Sequence, residues 1–293
     1  MVERSVWDRE VASSNPAVPT NYMPPKFIEY KKLVDDFLRQ YLEKDRKSLS
    51  KVNPLGDDLI NRILPMVTAG KTIRGSLALL AYCFTNEKPS EDAIKAAAVL
   101  EILQTALVIH DDIMDKDVVR RGIPSIHMQY KSDAMAMCVG DVLFFMAFEL
   151  LGSINVDAKT LGRIVRLVGK EYQQVGVAQM ADISNTAKTK EDILRLYIYK
   201  TARYTFSVPL LVGATLANAN NEKTNELSSF GENVGILFQI QDDKLDCETN
   251  PFTEKDVEMY KQRASDSLNE LAINETHKKV LRMLVDFVLT RKK

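Results

Sequence analysis

Residues 91–115 read EDAIKAAAVLEILQTALVIHDDIMD. From Glu91 to Met114 the stretch is rich in Ala, Ile and Leu and almost free of breakers, which predicts a helix of several buried turns. It ends in a cluster of carboxylates: Asp111, Asp112 and Asp115. An apolar helix delivering three acids at its end decides both the fold class and where the chemistry lies.

Outward from this helix the pattern repeats. Upstream, Phe27, Tyr30, Leu33, Val34, Phe37, Leu38, Tyr41 and Leu42 recur at three- and four-residue steps, so an amphipathic helix starts near Lys26. Pro54 and Gly56 interrupt it, Pro65 and Gly70 flank a short segment, and a helix opens again near Lys71. Downstream, helices are expected over about Asp133–Leu151 and Ala158–Ala181, and from about Lys190, Lys223 and Phe252 onward. No strand-length alternation bounded by hairpin dipeptides occurs, and no fixed-period repeat marks a linker. The expectation is one all-α domain over residues 26–293, preceded by a flexible, proline-bearing arm over residues 1–25.

Composition agrees. The 293 residues are 45% apolar and hold only 12 Gly and 10 Pro, which suits helices better than many short strands. With 39 basic against 40 acidic residues, bulk electrostatics excludes a nucleic-acid binder held by net charge. Three scattered cysteines with no ligand spacing indicate a reducing compartment without a disulfide framework, hence a cytoplasmic location. The nearest candidate for a membrane span, Val142–Leu151, is broken by Glu149, so no transmembrane segment is expected.

A second stretch, Asp242-Asp243-Lys244-Leu245-Asp246, repeats the acidic pattern. In a helix the first and fifth positions share a face, so each motif offers carboxylates to a hard cation. With 22 aspartates in the chain, chance placement gives about 0.1 such motifs. Each alone would read as a solvated helix end; beside the apolar runs Ala106–Ile109 and Gly235–Ile240 that reading weakens. Arg120-Arg121-Gly122 follows the first motif, and Lys71 and Arg74 stand one helical turn apart. Guanidinium forks and a lysine point charge suit diphosphate oxygens.

These residues resemble the trans-isoprenyl (polyprenyl) diphosphate synthase family. The match runs from about residue 60 to 246 through His110-Asp111-Asp112-Ile113-Met114-Asp115, Arg120-Arg121-Gly122-Ile123-Pro124, His127, Gln179-Met180-Ala181-Asp182, Lys200-Thr201 and Phe238-Gln239-Ile240-Gln241-Asp242-Asp243. The resemblance implies an isoprenoid-synthase-type bundle around a deep central cavity, usually a homodimer, that joins isopentenyl diphosphate to an allylic diphosphate.

By the same resemblance three Mg²⁺ ions are expected, with Asp111, Asp115 and Asp242 as direct ligands and Asp112, Asp243 and Asp246 at water-bridged or outer positions. Arg120 and Lys200 would hold the allylic diphosphate, Lys71, Arg74 and Arg121 the isopentenyl diphosphate, and Gln104 would donate to a phosphate. Gln179 and Asp182 belong to the substrate site. The Lys200 carbonyl, Thr201 and Gln239 would face the reacting carbons.

In short-chain relatives a bulky aromatic four or five residues before the first aspartate closes the cavity; here Leu107 and Ala106 stand there, with Leu103 and Val99 one and two turns higher. A product of C20 to C30 follows, unless the floor comes from Phe144 or Phe145. His110 and His127 read as satisfied structural histidines, Met135, Met137 and Met146 as core, and the Arg291-Lys292-Lys293 end as a solvated tail. The family's lid after the second motif is short or missing here. Alternatives are a head-to-head synthase or terpene cyclase, a regulatory subunit of a heteromeric synthase, and a plain helical interaction protein.

Overall fold

The computed structural model describes residues 23–219, 221–245 and 250–291, with the side chains of residues 221–223 left out. Twelve α-helices, one π-helical segment and a two-stranded ribbon make up the described residues: α1 (Pro25–Val52), α2 (Leu55–Thr68), α3 (Ile73–Tyr82), α4 (Glu91–Asp115), β1 (Val119–Arg120), β2 (Ile123–Pro124), α5 (Ile126–Tyr130), α6 (Asp133–Gly152), α7 (Ala158–Ile183), α8 (Lys190–Leu196), the π segment (Tyr197–Ser207), α9 (Val208–Leu216), α10 (Asn221–Leu245), α11 (Glu254–Glu270) and α12 (Glu275–Thr290). The expected all-α bundle is what forms. Residues 1–22 of the expected arm lie outside the described residues, whereas Met23 already packs into the core.

Helix starts are chemically marked. The side chains of Ser90, Ser132, Asp157 and Asn274 each accept a hydrogen bond from a backbone N–H of the first turn they precede. Thr189 and Thr253 form reciprocal capping boxes with Asp192 and Asp256. These caps satisfy donors that a helix start otherwise leaves open.

α4 is the central element, packed on α1, α3 and α6. It is buried on most sides: Ala96, Ala97, Ala98, Val99, Leu100, Ile102, Leu103 and Ala106 are all core. The π segment lies between α7 and α10. Pro209, near the start of α9, has no N–H for the Thr205 carbonyl four residues back, so a regular α pattern cannot run through this point. The wider π winding precedes it.

Three expectations require correction. Pro65 does not bound a segment; it sits inside α2. The ribbon was not expected: Val119 pairs with Pro124 and Arg120 with Ile123 across a two-residue turn, whose Arg121 (φ 54°) and Gly122 (φ 78°) both take positive φ. That is the type I′ geometry, and Gly122 meets it without a Cβ penalty. Finally, the apolar runs are longer than expected: α4 and α6 are both long and apolar enough to cross a membrane by length and composition. In α4 that hydrophobicity is spent on the core, while α6 leaves Met137, Phe145 and Phe148 exposed.

Candidate functional site

At the C-terminal end of α4, Asp111 and Asp115 share a face one turn apart. Burial raises both carboxyls above the ordinary range; Lys200 and Arg120 oppose the shift, and each aspartate's acidic neighbours reinforce it. Asp112 points the other way, fully buried, and meets Arg120 at 2.6 Å. Burial pushes its carboxyl up to about 7 against the pull of Arg120. Its Oδ2 has no hydrogen-bond partner among the described residues, which removes one means of stabilising the anion.

The ribbon after α4 carries the cations. Arg120 donates through Nε to Asp112 and through Nη2 to Asp117 at 2.6 Å each. Arg121, in the left-handed turn position, donates to the Met66 carbonyl in α2 and is partly buried; that burial lowers its basicity, and Glu101 opposes the shift. Glu101 in turn accepts the Gly75 N–H at 2.8 Å, so one buried acid ties α3 to α4 and faces Arg121.

From α7, Gln179 donates to Asp111 at 2.6 Å. Asp182, three residues on, takes the ammonium of Lys200 from the π segment. Next to it Thr201 donates to Gln239 Oε1 at 2.8 Å, and Gln239 donates to Asp243 one turn along α10 at 2.8 Å. Asp243 also accepts from Tyr197, whose ring packs on Phe252, 5.2 Å between centroids.

Asp242 is held from the C-terminus. Arg291 donates to it at 2.7 Å and to the Phe238 carbonyl at 2.9 Å, with its guanidinium 3.7 Å from the Phe238 ring centroid. Lys71 lies close enough to feel Asp242 and Arg291, and burial lowers its pKa. Arg74 donates to Thr205 at 2.6 Å, stacks 4.3 Å over Tyr204 and lies within electrostatic range of Arg121. These groups form a ring that closes between Lys71 and Arg74 through the chain itself: from Asp242 and Lys71 to Arg74, Arg121 and Arg120, on to Asp111, then through Lys200, Thr201 and Gln239 back to Asp243. Lys71 precedes α3, with the left-handed Thr72 between, so it does not stand a helical turn from Arg74 as expected.

The ring gathers Lys71, Arg74, Asp111, Asp112, Arg120, Arg121, Gln179, Asp182, Lys200, Thr201, Gln239, Asp242 and Asp243; Asp115 adjoins it. Gln104 is buried on α4 with its Oε1 unpaired among the described residues. Ala106, Leu103 and Val99 are fully buried and Leu107 half-buried. Asp246 and the short segment after it lie outside the described residues. The ring also recruits groups the sequence reading missed: Glu101, Asp117, Tyr197 and Arg291.

Several side chains differ from expectation. Arg291 is not a solvated tail residue but 5% exposed. Met137 is exposed rather than core, and Phe145, at 72% exposure, faces away from any interior floor. Phe144 instead packs edge-on against His110. His110 meets the Met137 carbonyl and His127 meets Ser125, a structural role for both.

Among the described residues no three His, Cys, Asp or Glu side chains converge as a ready-made metal centre. The donor chemistry nevertheless fits Mg²⁺, which takes one or two carboxylates and completes its shell with water and phosphate oxygens. The like-charged pair Asp111/Asp115, partly desolvated, is the kind of site a divalent cation relieves.

An all-helical bundle whose interior carries two aspartate motifs facing a set of guanidinium and ammonium groups belongs to the class of helical isoprenoid synthases. The chain is a member of the polyprenyl synthetase family, whose profile matches residues 57–267.

It is 32% identical over 215 residues to the short chain isoprenyl diphosphate synthase of Methanocaldococcus jannaschii, covering 73% of this chain and 62% of that protein. The protein of the same description from Methanothermobacter thermautotrophicus is 34% identical over 221 residues, covering 73% and 66%. The chain thus spans less than two thirds of the length of these curated relatives. Geranylgeranyl pyrophosphate synthase from Corynebacterium glutamicum, solved with isoprenyl diphosphate and magnesium, superposes with a TM-score of 0.80 at 21% identity, over 90% of this chain and 99% of that one. The Geoglobus acetivorans synthetase gives 0.75 at 21%, over 90% and 99%. At that identity the likeness speaks to the fold.

Proposed function

We propose that the chain is a Mg²⁺-dependent prenyltransferase that condenses isopentenyl diphosphate with an allylic diphosphate, head to tail, into an all-trans product of C20 to C30. The observation that carries this reading is the ring itself: acids for a metal on Asp111, Asp115 and Asp242, and cations for two diphosphates on Lys71, Arg74, Arg120, Arg121 and Lys200. Membership of the polyprenyl synthetase family and the ligands of the Corynebacterium synthase support it. Three Mg²⁺ ions are the expected complement, held by Asp111 and Asp115 on one side and Asp242 on the other. Bound there, the metal would supply Lewis-acid neutralisation of diphosphate charge.

Every other part of the mechanism falls to side chains. Arg120 and Lys200 neutralise the allylic diphosphate as its C–O bond ionises. Lys71, Arg74 and Arg121 orient isopentenyl diphosphate so that its double bond meets the allylic cation. The Thr201 hydroxyl, the Gln239 amide oxygen and the Lys200 carbonyl face the positive charge. The proton is lost to the departing diphosphate. Apolar residues of α4 keep water from the cation, and Ala106, lacking bulk, leaves the chain room to extend toward Leu103 and Val99.

The exposed apolar face of α6, with Met137, Phe145 and Phe148, supports a homodimer, and the scattered free cysteines support a cytoplasmic setting. The test is purified protein with Mg²⁺, labelled isopentenyl diphosphate and each of dimethylallyl, geranyl, farnesyl and geranylgeranyl diphosphate, with product lengths resolved. Elongation with none of the four primers would overturn the reading, as would full turnover by a folded Asp111→Asn variant.

A further inference from the structure

The chain habitually pairs the cations of its helix surfaces with acids three or four residues away: Lys31 with Asp35, Arg62 with Asp58, Lys95 with Glu91, Arg195 with Glu191. The first half of α7 breaks that habit. Lys159, Arg163, Arg166 and Lys170 follow one another at steps of four, three and four, so they share one face over about 16 Å of helix. No acidic residue stands three or four positions from any of them. All four are exposed, and among the described residues none of their side chains makes an ion pair or hydrogen bond.

These cations line a cavity of about 670 Å³, within the size range of small-molecule sites. Its opposite wall comes from α9 and α10 and offers the Thr215 and Ser228 hydroxyls and the Asn225 amide, while Leu167 and Leu211 contribute apolar surface. Like charges repeated along one helix face repel, and no acidic side chain among the described residues pairs with them. A multiply charged anion would, and it would meet hydroxyl and amide groups across the cavity and two leucines in its lining.

We propose that this groove binds a diphosphate ester: the phosphates on Arg163 and Arg166, flanked by Lys159 and Lys170, and the organic part against Leu167 and Leu211. Guanidinium forks match phosphate oxygens in pairs. The cations border an open groove whose far wall carries hydroxyl and amide groups, which favours a discrete anion over a lipid headgroup layer. None of these residues belongs to the ring of Asp111 and Asp242, and the inference stands apart from the proposed reaction.

Hydrogen exchange with mass spectrometry, in EDTA and 150 mM salt, locates binding directly. Inorganic pyrophosphate, farnesyl diphosphate and ADP are titrated against the full chain and against an Arg163→Gln/Arg166→Gln variant whose fold is checked by circular dichroism. Saturable protection of residues 158–170 and 211–228 is expected, weakened about tenfold or more in the variant, in line with loss of charge-assisted hydrogen bonds. Protection around residues 111–115 should be the same in both proteins. Tighter binding of farnesyl diphosphate or of ADP than of pyrophosphate identifies the organic part as prenyl or nucleoside. Protection confined to residues 111–115, protection of the groove unchanged in the variant, or a response only to phosphatidylglycerol vesicles would each overturn the proposal.

Discussion

The Gly235→Ala substitution tests how the π segment is held in register with α10. A Cβ at Gly235 would stand 2.5 Å from the Ala202 Cβ and closer still to its Cα, and one turn earlier a Cβ at Gly231 would stand 2.7 Å from the Ser207 backbone. Two glycines thus let the π segment lie directly on α10, which is what brings Thr201 within 2.8 Å of Gln239. Carbon atoms in contact sit about 3.5–4.0 Å apart, so the methyl forces the segments apart by about 1 Å or more. Such overpacking costs about 1–3 kcal/mol, and the gain from replacing Gly by Ala in a helix returns about 1 kcal/mol. A net loss of up to about 2 kcal/mol is expected, or up to about 8 °C in Tm for a chain of this size. Displacing Thr201 and Lys200 by about 1 Å should also cost turnover, on the order of a hundredfold. Gly162→Ala on α7, where an added Cβ meets nothing within 4 Å, is the control and should stabilise by up to about 1 kcal/mol. Thermal melting and the elongation assay read both effects. A Gly235→Ala protein that melts at or above the wild type with unaltered turnover would refute the close-approach argument.

Ala106→Phe places a bulky ring five residues before the first aspartate motif and should shorten the products; a product profile identical to wild type would remove Ala106 from chain-length control. Arg203→Met leaves Glu171, nearly buried and ion-paired to Arg203, without its partner. A loss of about 3 kcal/mol by urea unfolding is expected, and a loss well under 1 kcal/mol would count against the ion pair's role. Asp256 is held down to about 2, first by the Lys190 ammonium and then by the Thr253 cap. Because the folded-state value lies below the ordinary one, its stabilisation is present above about pH 4 and lost as pH falls toward 2. Thermal melts of Asp256→Asn should therefore show a flatter pH dependence across that window, and parallel curves would contradict the assignment.

Helix order and the two acidic motifs were legible in the sequence because each has a local signature, apolar periodicity or acids repeated at a one-turn spacing, whereas Gln179, Asp182, Lys200, Thr201 and Gln239 were reached only through the family resemblance. The ribbon at Val119–Pro124 has no such signature. Two-residue strands are too short to alternate, and the turn uses Arg121 where a glycine or asparagine would have given it away. The π segment is equally silent, since its winding answers to Pro209 downstream and to the glycines of α10, both outside the segment itself.

Arg291 is the instructive failure, because a local signal was available. In a basic three-residue end it reads as solvated, yet α12 buries Leu284, Phe287 and Val288, and Arg291 stands four residues after Phe287 and three after Val288. Helical spacing carries the buried face onto Arg291 one turn past the last apolar pair. A guanidinium arriving on that face must find a carboxylate and an aromatic ring, or the burial would be prohibitive. It finds Asp242 and Phe238 together on α10, also four residues apart. The C-terminal helix therefore belongs to the site and does not merely follow it: the charge that neutralises Asp242 in this structure comes from the far end of the chain, and any cation that takes Asp242 as a ligand must first share it with Arg291.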